Sequence, residues 1–515
     1  GPWPPDAPPM SEDCLHLNIW VPASALAVAG KAAARRGRSA KQPVKAAAPR
    51  APVLVWIYGG GLQSGSKDCP DQEGRVYAER GIVFVACNYR VGALGFVCPD
   101  GGDPHCGLWD QVAALRWVQK EIGAFGGDEG RVTVMGESAG ADSVYWLCCS
   151  PVANRLFQQA VIQSPSSFAT TTEQAAEIAQ EFAQVAGATS ASLEDMQAMN
   201  VWQVLIAQMQ GQFRINPTTG PGWRLLCAAG GSLPDFEPAP QPSPAGLFRF
   251  SEGREPQGWI MPVAVLDGEF MTEQPLDALA HGAASHLRII VGGNRDECSF
   301  SELPGSYGAK LQGGGLGEVA ARLAWEFAGA PLLRSAPPGL LKGRAEQLLA
   351  DYQAELPHAV RGEAAHAAQH ILNTAISDFS FLAAVQLISA RLARPGGSAC
   401  IYRYQFEGYK GVGGFHAAEL PLVLGENTFK ADSARARARE QWLDSWAAFV
   451  HTGDPNTEAM GGRWRPHSDE DRPILLWDGE LGWSSEGGAD VGRRPGLVAT
   501  ARLWEELWGL ERLPE

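Results

Sequence analysis

The chain has 515 residues and a mass of 55.0 kDa, with 45% hydrophobic and 19% charged side chains, which provides for a large core and excludes global disorder. Forty-two Lys and Arg against 57 Asp and Glu leave a formal charge of −15, a poor match for a general nucleic-acid binder because phosphate contacts need a basic surface. Ten cysteines without a CxxC pair exclude zinc-ribbon spacing and are too few for a disulfide scaffold.

Taken in chain order, Leu15–Val21 reads as a strand. An Ala-rich stretch at 24–50 follows, with seven basic side chains (Lys31, Arg35, Arg36, Arg38, Lys41, Lys45, Arg50) and no acid, and reads as a solvated basic low-complexity insertion. Because Pro52–Tyr58 is again strand-like, the insertion is expected to connect neighbours in one sheet. Val53–Tyr58 and Ile82–Cys87 are short apolar runs rich in β-branched residues, as in strands buried on both faces of a mainly parallel sheet. Arg75–Arg80 reads as helix between them, and Asp110–Ile122 has apolar residues at helical spacing. Val132–Met135, Phe157–Gln163 and Leu287–Val291 read as further strands and Ala139–Leu147 as helix. Strand and helix alternate, which is the rhythm of an α/β sheet covered by helices.

Later segments carry less. Five prolines within 234–244 read as an extended loop, and Gly313, Gly314, Gly315 and Gly317 as a turn without a phosphate-loop Lys. The region 318–395 reads as mostly helical. Leu503–Trp508 is amphipathic, a last helix packed on the core or, in the sharper alternative, an oligomerisation helix. No apolar run is judged to reach the roughly 18 to 20 residues of a membrane span. Nothing at the N-terminus reads as a signal peptide, and the chain opens on Gly rather than Met, consistent with a segment upstream. Asn-x-Ser/Thr sequons are absent, Asn216-Pro217-Thr218 being blocked by its proline.

The strongest chemical feature is Gly136-Glu137-Ser138-Ala139-Gly140, which follows a strand and precedes a helix. So tight a turn places Ser138 in a strained backbone conformation at the carboxyl edge of the sheet. A side chain at either flanking glycine is expected to clash. The Ala139 N–H lies at a helix N-terminus, where it favours negative charge. Gly59-Gly60-Gly61 follows another strand, making Gly60 and Gly61 candidates for two more oxyanion donors. A serine nucleophile needs a base, and the base an orienting acid. His416, after Gly411, Gly413 and Gly414, is the most suggestive histidine, although a lone histidine is more often structural. Asp296 and Glu297, directly after a strand, are equal candidates for the acid. Either gives the chain order Ser, acid, His of the α/β-hydrolases.

These residues sit in a wider pattern: Glu12-Asp13-Cys14-Leu15-His16-Leu17-Asn18-Ile19-Trp20, Trp56–Gly61, Asn88-Tyr89-Arg90, Gly107–Gln111, Phe125–Asp128, Gly136–Ala141, Asp296-Glu297, His416 with Glu419-Leu420-Pro421, and Thr452–Asn456. The ordered set resembles the type-B carboxylesterase/lipase family, the carboxylesterase–cholinesterase group of α/β-hydrolases. The resemblance implies one α/β-hydrolase domain over 1–515, with a large mostly parallel central sheet, helices on both faces and the N-terminal strands missing. It implies Ser138 as nucleophile, His416 as general base and Glu297 as triad acid. It further implies Gly60, Gly61 and Ala139 as the oxyanion hole, and Glu137 and Ser164 as supporting polar residues. The expected activity is hydrolysis of carboxylic esters through an acyl-enzyme, on a small-molecule ester, with no cofactor, metal or nucleic acid. The alternative is a non-catalytic adhesion or binding module on the same fold.

Some positions depart from the pattern. The family's partner for Cys14 lies upstream, so Cys14 is expected to be free. Cys298 stands where glycine often follows the triad acid, and Pro165 where glycine usually follows Ser164. Trp3 lies near a cholinesterase binding-site tryptophan, but in unclear register, and implies no choline specificity. The family resemblance raises a secretory or extracellular location, which the sequence leaves open along with oligomeric state.

Overall fold

In the computed structural model, residues 11–26, 49–166, 169–213, 264–298, 347–354 and, with short gaps, 364–502 are described. The core of the basic insertion (27–48), the proline-rich stretch, Gly313–Gly317, Trp3 and Leu503–Trp508 lie outside the described residues.

The strands follow from local composition. β1 (Leu17–Trp20), β2 (Ala51–Ile57), β3 (Val83–Cys87), β4 (Gly127–Glu137) and β5 (Gln159–Gln163) come first. A two-stranded pair, β6 (Ala169–Thr171) with β7 (Ala264–Leu266), stands apart from the main sheet. β8 (Arg288–Asn294), β9 (Cys400–Gly408), β10 (Leu475–Asp478) and β11 (Gly482–Ser484) complete the set. The main sheet has the order β1-β3-β2-β4-β5-β8-β9-β10-β11. Its seven inner strands run parallel, and β1 and β11 are antiparallel edges. Apolar runs such as VFVAC in β3 are buried throughout because helices cover both faces of a parallel sheet. This is the α/β-hydrolase architecture.

The sequence reading needs three corrections. β1 and β2 share the sheet but are not neighbours: β3 lies between them, with Leu17 opposite Cys87 on one side and Val53 beside Val83 on the other. The parallel β2–β3 pair forms through a helical crossover, and the chain of β1 takes the outer edge left open. β9 was missed because Arg403 and Gln405 break its apolar pattern, yet both are buried, Arg403 donating to Gln386 Oε1 at 2.6 Å. The third concerns membrane length. The helical stretch His370–Ala393 is long and apolar enough to cross a membrane, although most of it is buried within the fold, as a core helix would be.

The far end of the sheet is built on tryptophan. Trp442 and Trp446 lie on the helix Ala434–Thr452, and Trp464 and Trp477 on the β10 side, all buried. Ring centroids are 5.1 Å apart for Trp442 and Trp446 and 4.6 Å for Trp442 and Trp477. Tyr404 of β9 joins them edge-on at 5.7 Å from Trp442 and 5.5 Å from Trp446. Such offset and edge contacts suit the aromatic quadrupole, and each ring removes a large apolar area from water. The cluster holds β9 rigid, and β9 leads into the segment that carries His416. From the same helix, buried Arg439 donates to the carbonyls of Pro421, Leu424 (3.0 Å) and Gly425 (2.7 Å), fastening the chain just beyond His416. Trp446→Ala is expected to cost about 3–5 kcal/mol through the cavity it leaves, read as a lower urea midpoint at unchanged m-value.

Candidate active site

The elbow is built by proximity of backbone. β4 ends at Glu137, Ser138 turns the chain with φ 57 and ψ −129, and the helix Ala139–Cys149 begins at the next residue. A positive φ is costly for any residue with a Cβ. The surroundings enforce it: a Cβ on Gly136 would lie 2.3 Å from the Gly140 carbonyl oxygen, and one on Gly140 would lie 2.1 Å from that of Ile57. The expected clash at both glycines is present. Ser138 N–H donates to Gln163 O at 2.9 Å, tying the elbow to β5.

Three side chains distant in sequence meet there. His416 Nε2 is 2.8 Å from Ser138 Oγ and His416 Nδ1 is 2.7 Å from Glu297 Oε2. A carboxylate can only accept, so Nδ1 carries a proton toward Glu297, and in the neutral imidazole Nε2 accepts from the serine hydroxyl. Geometry also separates the two acid candidates. Glu297 is buried, and its Oε1 accepts from Ser164 Oγ at 2.6 Å and from Asn294 N–H at 2.7 Å. Asp296 turns outward to Arg295 (2.8 Å) and the Gly414 N–H (3.1 Å). Ser164 itself has φ 56, with Pro165 following and its N–H donating to Gly292 O at 2.8 Å.

The surroundings of the imidazole are acidic. Glu137 is buried, and its Oε1 lies 3.3 Å from His416 Nε2. Burial raises its carboxyl to about 8, against a downward pull from His416 and with further upward push from Glu419 and Glu297. Burial alone would lower His416. The charges of Glu137, Glu297 and Glu419, with the hydrogen bond to Glu297, outweigh it and raise the imidazole from 6.5 to about 9. Glu419 is raised to about 7, by burial first and then by Glu297. It accepts from Asn294 Nδ2 at 2.6 Å and Gln163 Nε2 at 3.2 Å. Burial thus favours the protonated form of both Glu137 and Glu419 beside the imidazole.

Sequence reasoning gave Glu419 and Asn294 no role; Glu419 stood inside a quoted motif three residues beyond His416, and Asn294 lies three before Glu297. The glycine loop packs against the elbow: a Cβ on Gly59 would sit 2.9 Å from Ser138 Cβ. Gly60 and Gly61 have φ 111 and 63. Ala139, buried, is the first residue of its helix, where N–H groups have no intrahelical acceptor. Cys298 is accommodated, its N–H donating to Ser377 Oγ at 2.8 Å while Glu297 keeps its bonds. Cys14 is free.

A serine at a strained strand–helix elbow on a parallel sheet, with an imidazole and an acid behind it, defines the α/β-hydrolase class. The family is narrower. The carboxylesterase family profile matches residues 4–482, and the chain belongs to that family. It is 28% identical over 493 residues to the para-nitrobenzyl esterase of Bacillus subtilis (strain 168), covering 92% of this chain and 81% of the relative. It is 34% identical over 299 residues to Cholinesterase 1 of Branchiostoma lanceolatum, covering 57% of this chain and 69% of that protein. The solved structure of a PNB esterase superposes with a TM-score of 0.67 at 24% identity, over 96% of this chain and 86% of the other.

Gly140→Ala is expected to lose roughly 3 kcal/mol or more, because backbone must move to admit the methyl. Gly187→Ala, at φ 72 with nothing within 4 Å of the new Cβ, should lose only about 1 kcal/mol from the left-handed conformation. Parallel thermal melts compare the two.

Proposed function

We propose that this protein is a serine hydrolase that cleaves carboxylic esters through an acyl-enzyme intermediate. The observation that carries the reading is the hydrogen-bonded line from Ser138 through His416 to Glu297, at 2.8 and 2.7 Å. The named activities of the esterase relatives support an ester as substrate.

His416 Nε2 takes the Ser138 proton as Oγ attacks the ester carbonyl. Glu297 holds the Nδ1–H tautomer and stabilises the imidazolium that forms. The N–H groups of Gly60, Gly61 and Ala139 bind the oxyanion, each contributing on the order of 3 kcal/mol to the barrier. The imidazolium returns its proton to the alcohol, which leaves. Water then enters, gives its proton to His416, attacks the acyl-enzyme, and Ser138 is restored. Ser164 and Asn294 hold Glu297, and Glu137 acts on the charge of His416.

A panel of p-nitrophenyl esters of increasing acyl length tests this reading. Ser138→Ala should lower kcat by at least about a thousandfold and abolish labelling by a fluorophosphonate probe. Activity that survives the substitution rejects the mechanism, whereas a wild-type protein that turns over none of the esters favours the binding-module alternative. The base works only when neutral, so kcat/KM should rise with pH along a limb centred above the ordinary imidazole value of 6.5. Glu137→Gln removes a negative charge that favours the imidazolium, so the limb should move to lower pH. A limb at 6.5 in both proteins counts against that role for Glu137.

A further inference from the structure

The helices Ala364–Ser377 and Ala383–Ala393 are joined by a single π-helical turn, Asp378–Leu382. The wider turn is closed by the Ala383 N–H donating to the Asp378 carbonyl five residues back. Isolated π turns in helices occur disproportionately at functional positions. Here the turn is anchored at one end and presented at the other. Asp378 is fully buried, accepting from Tyr352 OH at 2.9 Å and from Arg494 Nη2 at 2.5 Å. Tyr352 OH also meets Thr500 Oγ1 at 2.8 Å. Phe381, three residues on, places its ring centroid 4.4 Å from that of His416, with planes inclined at 33°. In an ordinary α-helix, residues three apart share a face. The π turn swings them apart, so Asp378 can be anchored in the interior while Phe381 reaches the imidazole.

We propose that Phe381 is a positioning residue for His416, its ring holding the imidazole in the line between Ser138 and Glu297 and favouring its protonated form. The inference rests on the proposed role of His416 as base. Contact with an aromatic face limits rotation of the imidazole out of that line. The same face attracts the imidazolium created at each proton transfer. Other charges facing His416 are Glu137 from the elbow, Glu297 from the segment after β8, and Glu419 from its own segment. Asp378, on the same turn as Phe381, is paired with Arg494. Phe381 therefore adds to an acidic field a neutral contact that the sequence motifs do not contain.

The test measures kcat and KM of Phe381→Leu and Phe381→Tyr on p-nitrophenyl acetate and hexanoate across pH, with Ser138→Ala as control. Phe381→Leu should reduce kcat/KM by roughly tenfold on both esters alike and move the acid limb down by about half a pH unit. Phe381→Tyr, which keeps the aromatic face, should retain the rate and the limb. Should the leucine variant fail to fold, Phe381→Met supplies an apolar side chain without a π face, and the same shift is expected. An unmoved limb overturns the proposal, as does a loss confined to one acyl length, which would assign Phe381 to an acyl-contacting wall. Activity surviving Ser138→Ala overturns the triad reading itself. Wild-type activity that depends on Ser138, with a limb indifferent to position 381, removes this inference alone.

Discussion

No side chain fits between the end of β4, the helix that follows it and the neighbouring strand β2. That exclusion at Gly136 and Gly140 brings three backbone segments to contact distance and forces Ser138 into a strained positive-φ conformation. The rest of the site depends on it. With the turn that tight, the hydroxyl stands at the carboxyl edge of the sheet instead of packing into the helix. The first N–H of a fully buried helix then lies beside it, and the glycine loop after β2 presses against the same point. The cost of the strained serine is borne by a core in which the helix Ala139–Cys149 is buried along its whole length.

A second constraint is electrostatic. Glu137, Glu297 and Glu419 are taken out of water around one histidine, and burial, with the nearby carboxylates adding to it, raises the carboxyls of Glu137 and Glu419. Glu297 is stabilised as an acceptor by Ser164, the Asn294 N–H and the imidazole Nδ1. Glu419 receives two amide donors. Glu137 Oε1 has no hydrogen-bond partner among the described residues and faces the imidazole. One histidine thus meets three carboxyls of different standing, one orienting its ring and the others weighting its charge.

The frame that holds these groups is uneven in kind. Near the elbow, precision comes from glycine and backbone contact. Behind His416 it comes from bulk: the tryptophan cluster fixes β9, and Arg439 binds three carbonyls of the segment beyond the histidine. Arginine suits this task because its planar fork offers several donors in fixed directions. Family membership across residues 4–482 agrees with a frame that runs through most of the chain.

Local sequence was sufficient for what is decided locally. The apolar runs of β2, β3 and β5, the glycines of the elbow and the helix after Ser138 were legible because pattern and turn chemistry act over a few residues. Motif order was enough to pair Ser138 with Glu297 and His416 through resemblance, but the bare residues left Asp296 and Glu297 equal. The folded chain adds the physical difference: Glu297 faces inward to His416 and Asp296 faces Arg295, which depends on how the loop after β8 meets the His416 segment. β9 was hidden by Arg403 and Gln405, buried polar side chains that break its apolar pattern, and the Arg403 partner, Gln386, lies on a separate helix. The outer place of β1, the shared field of Glu137 and Glu419, and the contact of Phe381 with His416 were likewise decided in three dimensions. Each joins residues tens to hundreds of positions apart, and such proximity is set by packing of the whole sheet rather than by any segment of it.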